Sequence, residues 1–429
     1  MNIGLIIGRI GGIDGVALET EKWIHVFKQL GHEVFILSGQ FEEKKIDPTY
    51  ETLMAEMSFF SPESYWEQKK AFFFPETNPE ELISHIEFYT NIISGKIIKW
   101  VNTNKIDLIV SENASALPAH IELGWGIRKA VKKLGIPTIT HDHDFAWERG
   151  DRYISPHKRI NEFVTKIFPL RLPNVFNAVI NENAQNSLKE KFNRNSIVVP
   201  NVMDFSVPFG QLNGTNKSLK IDLGLSDNDI LLFQITRIVR RKGIEVAINL
   251  IDKLNDKNIK LIITGNWADD EGSIYYNELF ELINKLNLRS QIKFASYLIN
   301  NKGLLGNGSG RNYSLSDAYA NATATTYFST YEGFGNAFVE SVLAKCPIFV
   351  NNYKPVYWPD IGSKGFKTVM LEDNNLTDKA VKEMADIIYN KELNREIAEY
   401  NYDLGKKYFS FDTLREKLLE LIKLATDKL

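Results

Sequence analysis

Arg237 and Lys242 stand five positions apart, with Gly243 directly behind. Hydrophobic periodicity predicts a strand over 230–235 and a helix over 243–254, so the arginine closes a strand and the lysine opens the next helix. Two fixed cations facing one space suit a diphosphate better than a carboxylate. A solvated charge run through Arg240, Arg241 and Lys242 is the plain alternative. The second segment is Glu332-Gly333-Phe334-Gly335-Asn336-Ala337-Phe338-Val339-Glu340, which follows a predicted strand over 325–329. Its glycines open the backbone. Asn336 and Ala337 begin a predicted helix over 336–343, whose free N–H groups suit phosphate oxygens. Glu340, one turn in, can accept two ribose hydroxyls, and Glu332 on the loop can reach a sugar. An ordinary helix start beside an acid is the alternative.

Two further segments follow predicted strands, and in open parallel sheets ligands bind beyond the strands' C-terminal ends. His141-Asp142-His143-Asp144 lies beyond a strand over 138–140. These are metal-ligating residue types. They sit where the chain leaves the sheet, however, and no protein-held metal is expected. A histidine there can bond a sugar hydroxyl or steady a transition state, or one of the two can be purely structural. Arg149 and Arg152 follow and suit an acidic acceptor. Gly11-Gly12-Ile13-Asp14-Gly15 follows a strand over 3–8 and reads either as a phosphate-approaching turn or as a plain tight one. It lacks the spacing of the dinucleotide fingerprint.

The elements that carry these segments alternate between strand and helix. A strand over 3–8, a helix over 16–30 and a strand over 34–37 make a first unit; strands over 106–110, 138–140, 178–181 and 197–199 extend it. Residues 41–100 read as less regular, with a dense aromatic set from Phe59 to Phe74, either an insertion covering a site or a packing cluster. Residues 205–222 read as a connection. A second series follows, with strands over 230–235, 259–264, 292–294, 325–329 and 347–350. The stretch 300–312 holds four glycines and is expected to be a mobile loop. The fold class is α/β, with parallel sheets covered by helices on both faces. Two such domains, 1–204 and 205–405, imply a deep cleft between them, with a last helix in 406–429.

The net charge of −3 gives no support to a nucleic-acid footprint. No apolar run is long enough to span a membrane. The start lacks the pattern of a secretory signal, so a cytoplasmic protein is expected. The single cysteine, Cys346, excludes an intrachain disulfide and a cysteine metal cluster.

Taken together, these residues resemble a retaining family 4 glycosyltransferase of the GT-B fold, in the glycogen and sucrose-phosphate synthase superfamily. Glu332 and Glu340 match its Glu-x7-Glu element, Gly333-Phe334-Gly335 its glycines and aromatic, and Arg237 with Lys242-Gly243 its Arg-x4-Lys-Gly element. Leu30-Gly31-His32-Glu33-Val34 and Pro200-Asn201 resemble further family segments. The resemblance covers nearly the whole chain. Thr236 replaces a glycine, Val202-Met203-Asp204 replaces Gly-Val-Asp, and the loop at 300–312 is longer than usual.

The resemblance implies that Arg237 and Lys242 neutralise a nucleotide diphosphate and that Glu340 binds its ribose. Glu332 would contact the transferred hexose, with the backbone of Phe334, Gly335, Asn336 and Ala337. Gly11 and Gly12 would lie against the diphosphate and the acceptor. The family's histidine would be His141 or His143: the His-Asp-Phe pattern favours His143, counting along the strand His141. Glu112, Asn113, Trp147, Arg149 and Arg152 look like acceptor-facing features of a subgroup that makes sugar-glycerate or sugar-phosphate products. The last helix would pack back on the first domain. No cofactor is implied beyond the nucleotide diphosphate sugar as donor substrate; a magnesium ion on it is compatible, but not one held by the protein. The partners implied are small molecules, with no nucleic acid. A glycoside phosphorylase of the same fold, a sugar nucleotide epimerase and a non-catalytic two-domain sugar binder are the alternatives.

Overall fold

The computed structural model describes residues 1–42, 46–47, 49–266, 273–299 and 312–427. The chain forms two compact units, Met1–Val202 together with Phe411–Leu429, and Met203–Ser410. Apart from Asn312, the glycine-rich stretch 300–312 lies outside the described residues.

The first unit holds β1 (Asn2–Ile7), β2 (Glu33–Ser38), β3 (Glu51–Leu53), β4 (Leu108–Glu112), β5 (Thr138–Asp142), β6 (Val175–Val179) and β7 (Ser196–Val198). They form one parallel sheet in the order β3-β2-β1-β4-β5-β6-β7. Strands buried on both faces read as near-continuous apolar runs, as Ile3 to Ile7 does. The helices Gly15–Gln29 and Phe411–Thr426 pack together over one face, around Trp23, Phe27, Leu414 and Leu418. Over the other lie the helices Pro79–Thr103 and Ile121–Leu134.

The segment 41–100 is more regular than its sequence implies. Asn78 caps a 25-residue helix, accepting bonds from the Glu80 and Glu81 amides, and Pro79 takes its first position. Ile86, Ile93, Ile97 and Trp100 recur along its buried face. The prolines and exposed aromatics upstream, among them Phe60, Tyr65 and Phe73, mask that period. The strand expected over 178–181 begins earlier, at Val175, because Asn181 is committed to capping the next helix through the Ala184 amide at 2.7 Å. Two smaller shifts matter for function. β4 extends to Glu112 and β5 to Asp142, which draws Glu112 and His141 into the sheet and leaves His143 just beyond it.

The second unit holds β8 (Ile230–Gln234), β9 (Ile259–Ile263), β10 (Ile292–Phe294), β11 (Ala324–Tyr327), β12 (Ile348–Asn351) and β13 (Val369–Leu371). Its sheet is also parallel, in the order β10-β9-β8-β11-β12-β13. Among the described residues no helix is long and apolar enough to cross a membrane.

Candidate active site

Each sheet has one place where strand order reverses, between β1 and β4 and between β8 and β11. Loops leaving such a pair of strand ends diverge and open a crevice. All four chemical segments of the sequence leave from these ends or from the neighbouring β5.

In the second unit, Gln234 ends β8 and knits the site. Its amide donates to the Lys242 carbonyl at 3.2 Å and to the Thr236 hydroxyl at 3.1 Å, and its carbonyl accepts from Thr326 of β11 at 2.6 Å. Thr236, unusual for the family resembled, is thereby fitted into place. Gly243 sits at φ 60°, and a Cβ there would lie 2.2 Å from the Phe328 carbonyl oxygen, so only glycine lets the two loops meet. Tyr353 and Asn351 hold the 328–335 loop from below, through the carbonyls of Phe334 at 3.1 Å and Ser329 at 2.9 Å.

The Lys242 ammonium is buried on this base and ion-paired to Glu332. Arg241 approaches the other Glu332 oxygen at 3.1 Å and also donates to the Tyr331 carbonyl at 2.9 Å. Arg237 is exposed on the same loop and acts on Lys242 electrostatically. Burial pushes the lysine's pKa down; Glu332 opposes this, while Arg241 and Arg237 reinforce it, and the net direction is down. Burial raises Glu332, but Lys242 and Arg241 outweigh it and keep the carboxyl below its ordinary value. Two cations, Lys242 and Arg241, pair with the one Glu332 carboxylate, an arrangement suited to an anion.

The helix Asn336–Leu343 begins beside this cluster. Its cap is Gly335, at φ 116°, which has no side chain to bond the first amides. Glu340 lies half-buried one turn in and accepts from the Tyr319 hydroxyl at 3.1 Å. The same hydroxyl reaches the Ala337 carbonyl at 3.3 Å. Tyr319 and Arg241 were missed by the sequence reading. Arg241 was visible in its charge run, whereas nothing local marks Tyr319.

In the first unit, Glu112 and His141 are register partners on β4 and β5, and Glu112 Oε2 lies 2.8 Å from His141 Nδ1. Trp23 stacks on His141 at 4.0 Å between centroids, with 20° between the planes. The His143 ring lies 4.2 Å from that of His141. Asn113, at φ 50°, ties these strand ends together: its carbonyl accepts from the His143 amide at 3.0 Å and its amide donates to Asp144 at 2.9 Å. Nε2 of His141 and of His143 has no partner. Burial pushes His143 well below its ordinary value, and His141 repels its charged form further. His143 is therefore a neutral imidazole at the mouth of the strand, and His141 is the layer behind it.

The other residues singled out in the sequence are largely engaged within the first unit. Glu112 is fully buried against His141 and Thr20. Asn113 is engaged at both ends of its amide. Trp147 turns inward, stacked on Phe145 at 4.6 Å. Arg149 pairs with Asp144, and Arg152 lies exposed over the Tyr153 ring. Asp14 caps the helix behind Gly11 and Gly12, accepting from the Val16 and Ala17 amides at 3.1 and 3.2 Å. Those amides are therefore not open to a phosphate, and the turn offers only its own backbone. Arg9, not singled out in the sequence, braces the turn between Asp14 at 3.3 Å and Glu42 at 3.4 Å.

Among the described residues, two groups bring metal-ligating atoms within 4.8 Å of one another: Glu112 with His141 and His143, and Glu67 with His120 and Glu122. In the second, both His120 nitrogens are spent, on Glu67 at 3.0 Å and on the Glu56 carbonyl at 2.8 Å. In the first, Glu112 and His141 already bond each other.

That bond predicts a pH dependence of stability. Burial pushes Glu112 up to about 8 and His141 down to about 3, so the folded pair holds one proton from about pH 3 to about pH 8. At the ordinary values of 4.5 and 6.5 the unfolded pair holds one only between those two. Below 4.5 the unfolded chain binds the extra proton, and stability falls as pH falls; above 6.5 the folded chain keeps one that the unfolded chain loses, and stability falls as pH rises. Urea titrations of the wild type against Glu112→Gln/His141→Asn should show the wild type losing about 2 kcal/mol relative to the variant between pH 6.5 and 8. A difference constant with pH contradicts the shared proton.

Each parallel α/β unit thus carries its candidate groups at or beside the switch point of its sheet. A family model described as glycosyl transferases group 1 matches residues 216–404. Mannosylglucosylglycerate synthase of Thermotoga maritima is 32% identical, over 97% of this chain and 99% of that one. Among solved structures, a glycosyltransferase from Rickettsia africae superposes with a TM-score of 0.70 at 15% identity, covering 99% of this chain and 98% of that one. Anabaena HepE in complex with UDP-glucose does so at 0.65 and 14%, covering 99% of each. The chain belongs to the glycosyl transferases group 1 family.

Proposed function

We propose that the protein is a retaining hexosyltransferase that moves a mannosyl group from a nucleotide diphosphate sugar to a glycosylated glycerate. The pairing of Lys242 and Arg241 with the Glu332 carboxylate carries the reading, because it suits an anion beside a helix start whose cap is glycine. The name of the Thermotoga relative supports the sugar and the acceptor. The second unit binds the donor. Arg237, Lys242 and the amides of Asn336 and Ala337 take the diphosphate, and Glu340 takes the ribose. When the diphosphate occupies Lys242, Glu332 turns to the hexose hydroxyls along the Phe334–Gly335 backbone. The first unit binds the acceptor against Gly11 and Gly12, with Arg149 and Arg152 near its carboxylate. His143 bonds a hexose hydroxyl.

The acceptor hydroxyl attacks the face that the diphosphate leaves, and the departing phosphate takes its proton. The protein orients the partners and stabilises the charge growing on the diphosphate. Glu332, tied to two cations, is not a nucleophile. Incubating the protein with mannosyl and glucosyl nucleotides and glucosylglycerate tests this. The expected result is release of nucleoside diphosphate with an α-linked product from an α-linked donor. A β-linked product overturns retention, and sugar 1-phosphate made only with added phosphate overturns transfer from a nucleotide.

Tyr319 should act through Glu340. Tyr319→Phe is expected to raise the donor KM about three- to tenfold while kcat stays within about twofold, because one orienting hydrogen bond is lost and the reacting centre is untouched. An equal fall in kcat for every donor would mark a general packing defect instead.

A further inference from the structure

The first unit also holds a cavity of about 330 Å³ at the N-terminal ends of β6 and β7, whereas the active-site loops leave the C-terminal ends of the strands. That size suits a small ligand. Its polar side is formed by Arg194 and Ser196, and its apolar side by Phe176, Leu421 and Leu424. The Ser196 hydroxyl is buried without a partner. Arg194 donates through Nε to Asn177 at 2.8 Å and through Nη2 to the carbonyls of Leu172 and Val175. Among the described residues no carboxylate ion-pairs with it, nor with its neighbours Arg171 and Arg128. Burial pushes Arg171 down to about 10, and the charges of Arg128 and Arg194 push the same way. The Asp142 carboxylate opposes the effect of burial on Arg194, but the net direction is down; an oxyanion in the cavity would offset the remaining cost of these half-buried like charges.

From this cavity a hydrogen-bond chain runs through the sheet. The Asn177 amide nitrogen lies 2.8 Å from Thr140 Oγ1, 3.2 Å from Asp142 Oδ2 and 3.3 Å from the Leu170 carbonyl. It has two hydrogens for three acceptors, so it must choose between arrangements. Thr140 also donates to Asp142 at 2.7 Å. Asp142 stands between His141 and His143, and its other oxygen is buried without a partner.

We propose that this cavity binds a small organic oxyanion, its charged head on Arg194 and Ser196 and its apolar body on Phe176, Leu421 and Leu424. The inference stands apart from the donor and the acceptor, and its test needs no turnover. Phenyl phosphate and benzoate are the probes, with inorganic phosphate as the head alone. Calorimetry should give a Kd below about 1 mM for at least one organic probe and about tenfold weaker binding of inorganic phosphate. Whichever organic probe binds tighter identifies the head as phosphate or carboxylate. Leu424→Trp fills the cavity from its exposed lip without touching Arg194, and should abolish binding while the melting temperature holds. Arg194→Lys keeps the charge but cannot hold Asn177 and the Leu172 and Val175 carbonyls while still donating to the ligand, and should weaken binding about tenfold. Absence of saturable binding to the wild type, or equal affinity in Leu424→Trp, overturns the site.

Discussion

Replacing Lys242 with alanine is expected to lower kcat/KM for hexosyl transfer by about a thousandfold, close to 4 kcal/mol of transition-state stabilisation. The size follows from burial. An exposed lysine is screened by water, and its loss costs little. Lys242 is buried on Gln234, over the Tyr327 ring at 5.2 Å, where a charge acts at short range and low dielectric. The fold should survive, because Arg241 still reaches Glu332 at 3.1 Å and keeps that carboxylate paired. Donor binding by calorimetry and turnover by release of nucleoside diphosphate separate the two effects. Transfer within about tenfold of wild type would place the diphosphate elsewhere and remove the main support for the proposed function.

Gly335→Ala is expected to cost about 2–4 kcal/mol of stability and to cut donor binding by about a hundredfold. The residue has φ 116°, where a side chain is strained, and a Cβ would stand 2.3 Å from the Tyr353 hydroxyl. That hydroxyl cannot give way cheaply. Tyr353 is fully buried, and its bond to the Phe334 carbonyl holds the loop. Relieving the clash therefore breaks that bond and shifts the amides of Asn336 and Ala337. Thermal unfolding and donor titration report the two losses, and a variant with unchanged melting temperature and affinity would show that the loop conformation is not required.

Much of the site was legible because it is written locally. The helix Asn336–Leu343 and the strand Ile292–Phe294 fall where periodicity puts them. The intervals between Arg237 and Lys242, and between Glu332 and Glu340, fix which loop each occupies once strand and helix alternate. The helix Pro79–Thr103 was lost behind prolines and aromatics, although its apolar period is complete.

By itself the sequence determined the two α/β series, the loops at their strand ends and the cations and carboxylates on those loops, since each depends on neighbours within one turn or one strand. Only the tertiary structure separated the surroundings of the two histidines. Two residues of strand length put His141 inside the sheet beneath Trp23 and left His143 at its rim. Tyr319 meets Glu340 only through packing between their two helices, and Asn177 meets Asp142 because β6 lies beside β5. The protonation of Glu112 and His141 was decided there too, because a pKa depends on burial and charged neighbours, and strand order sets both.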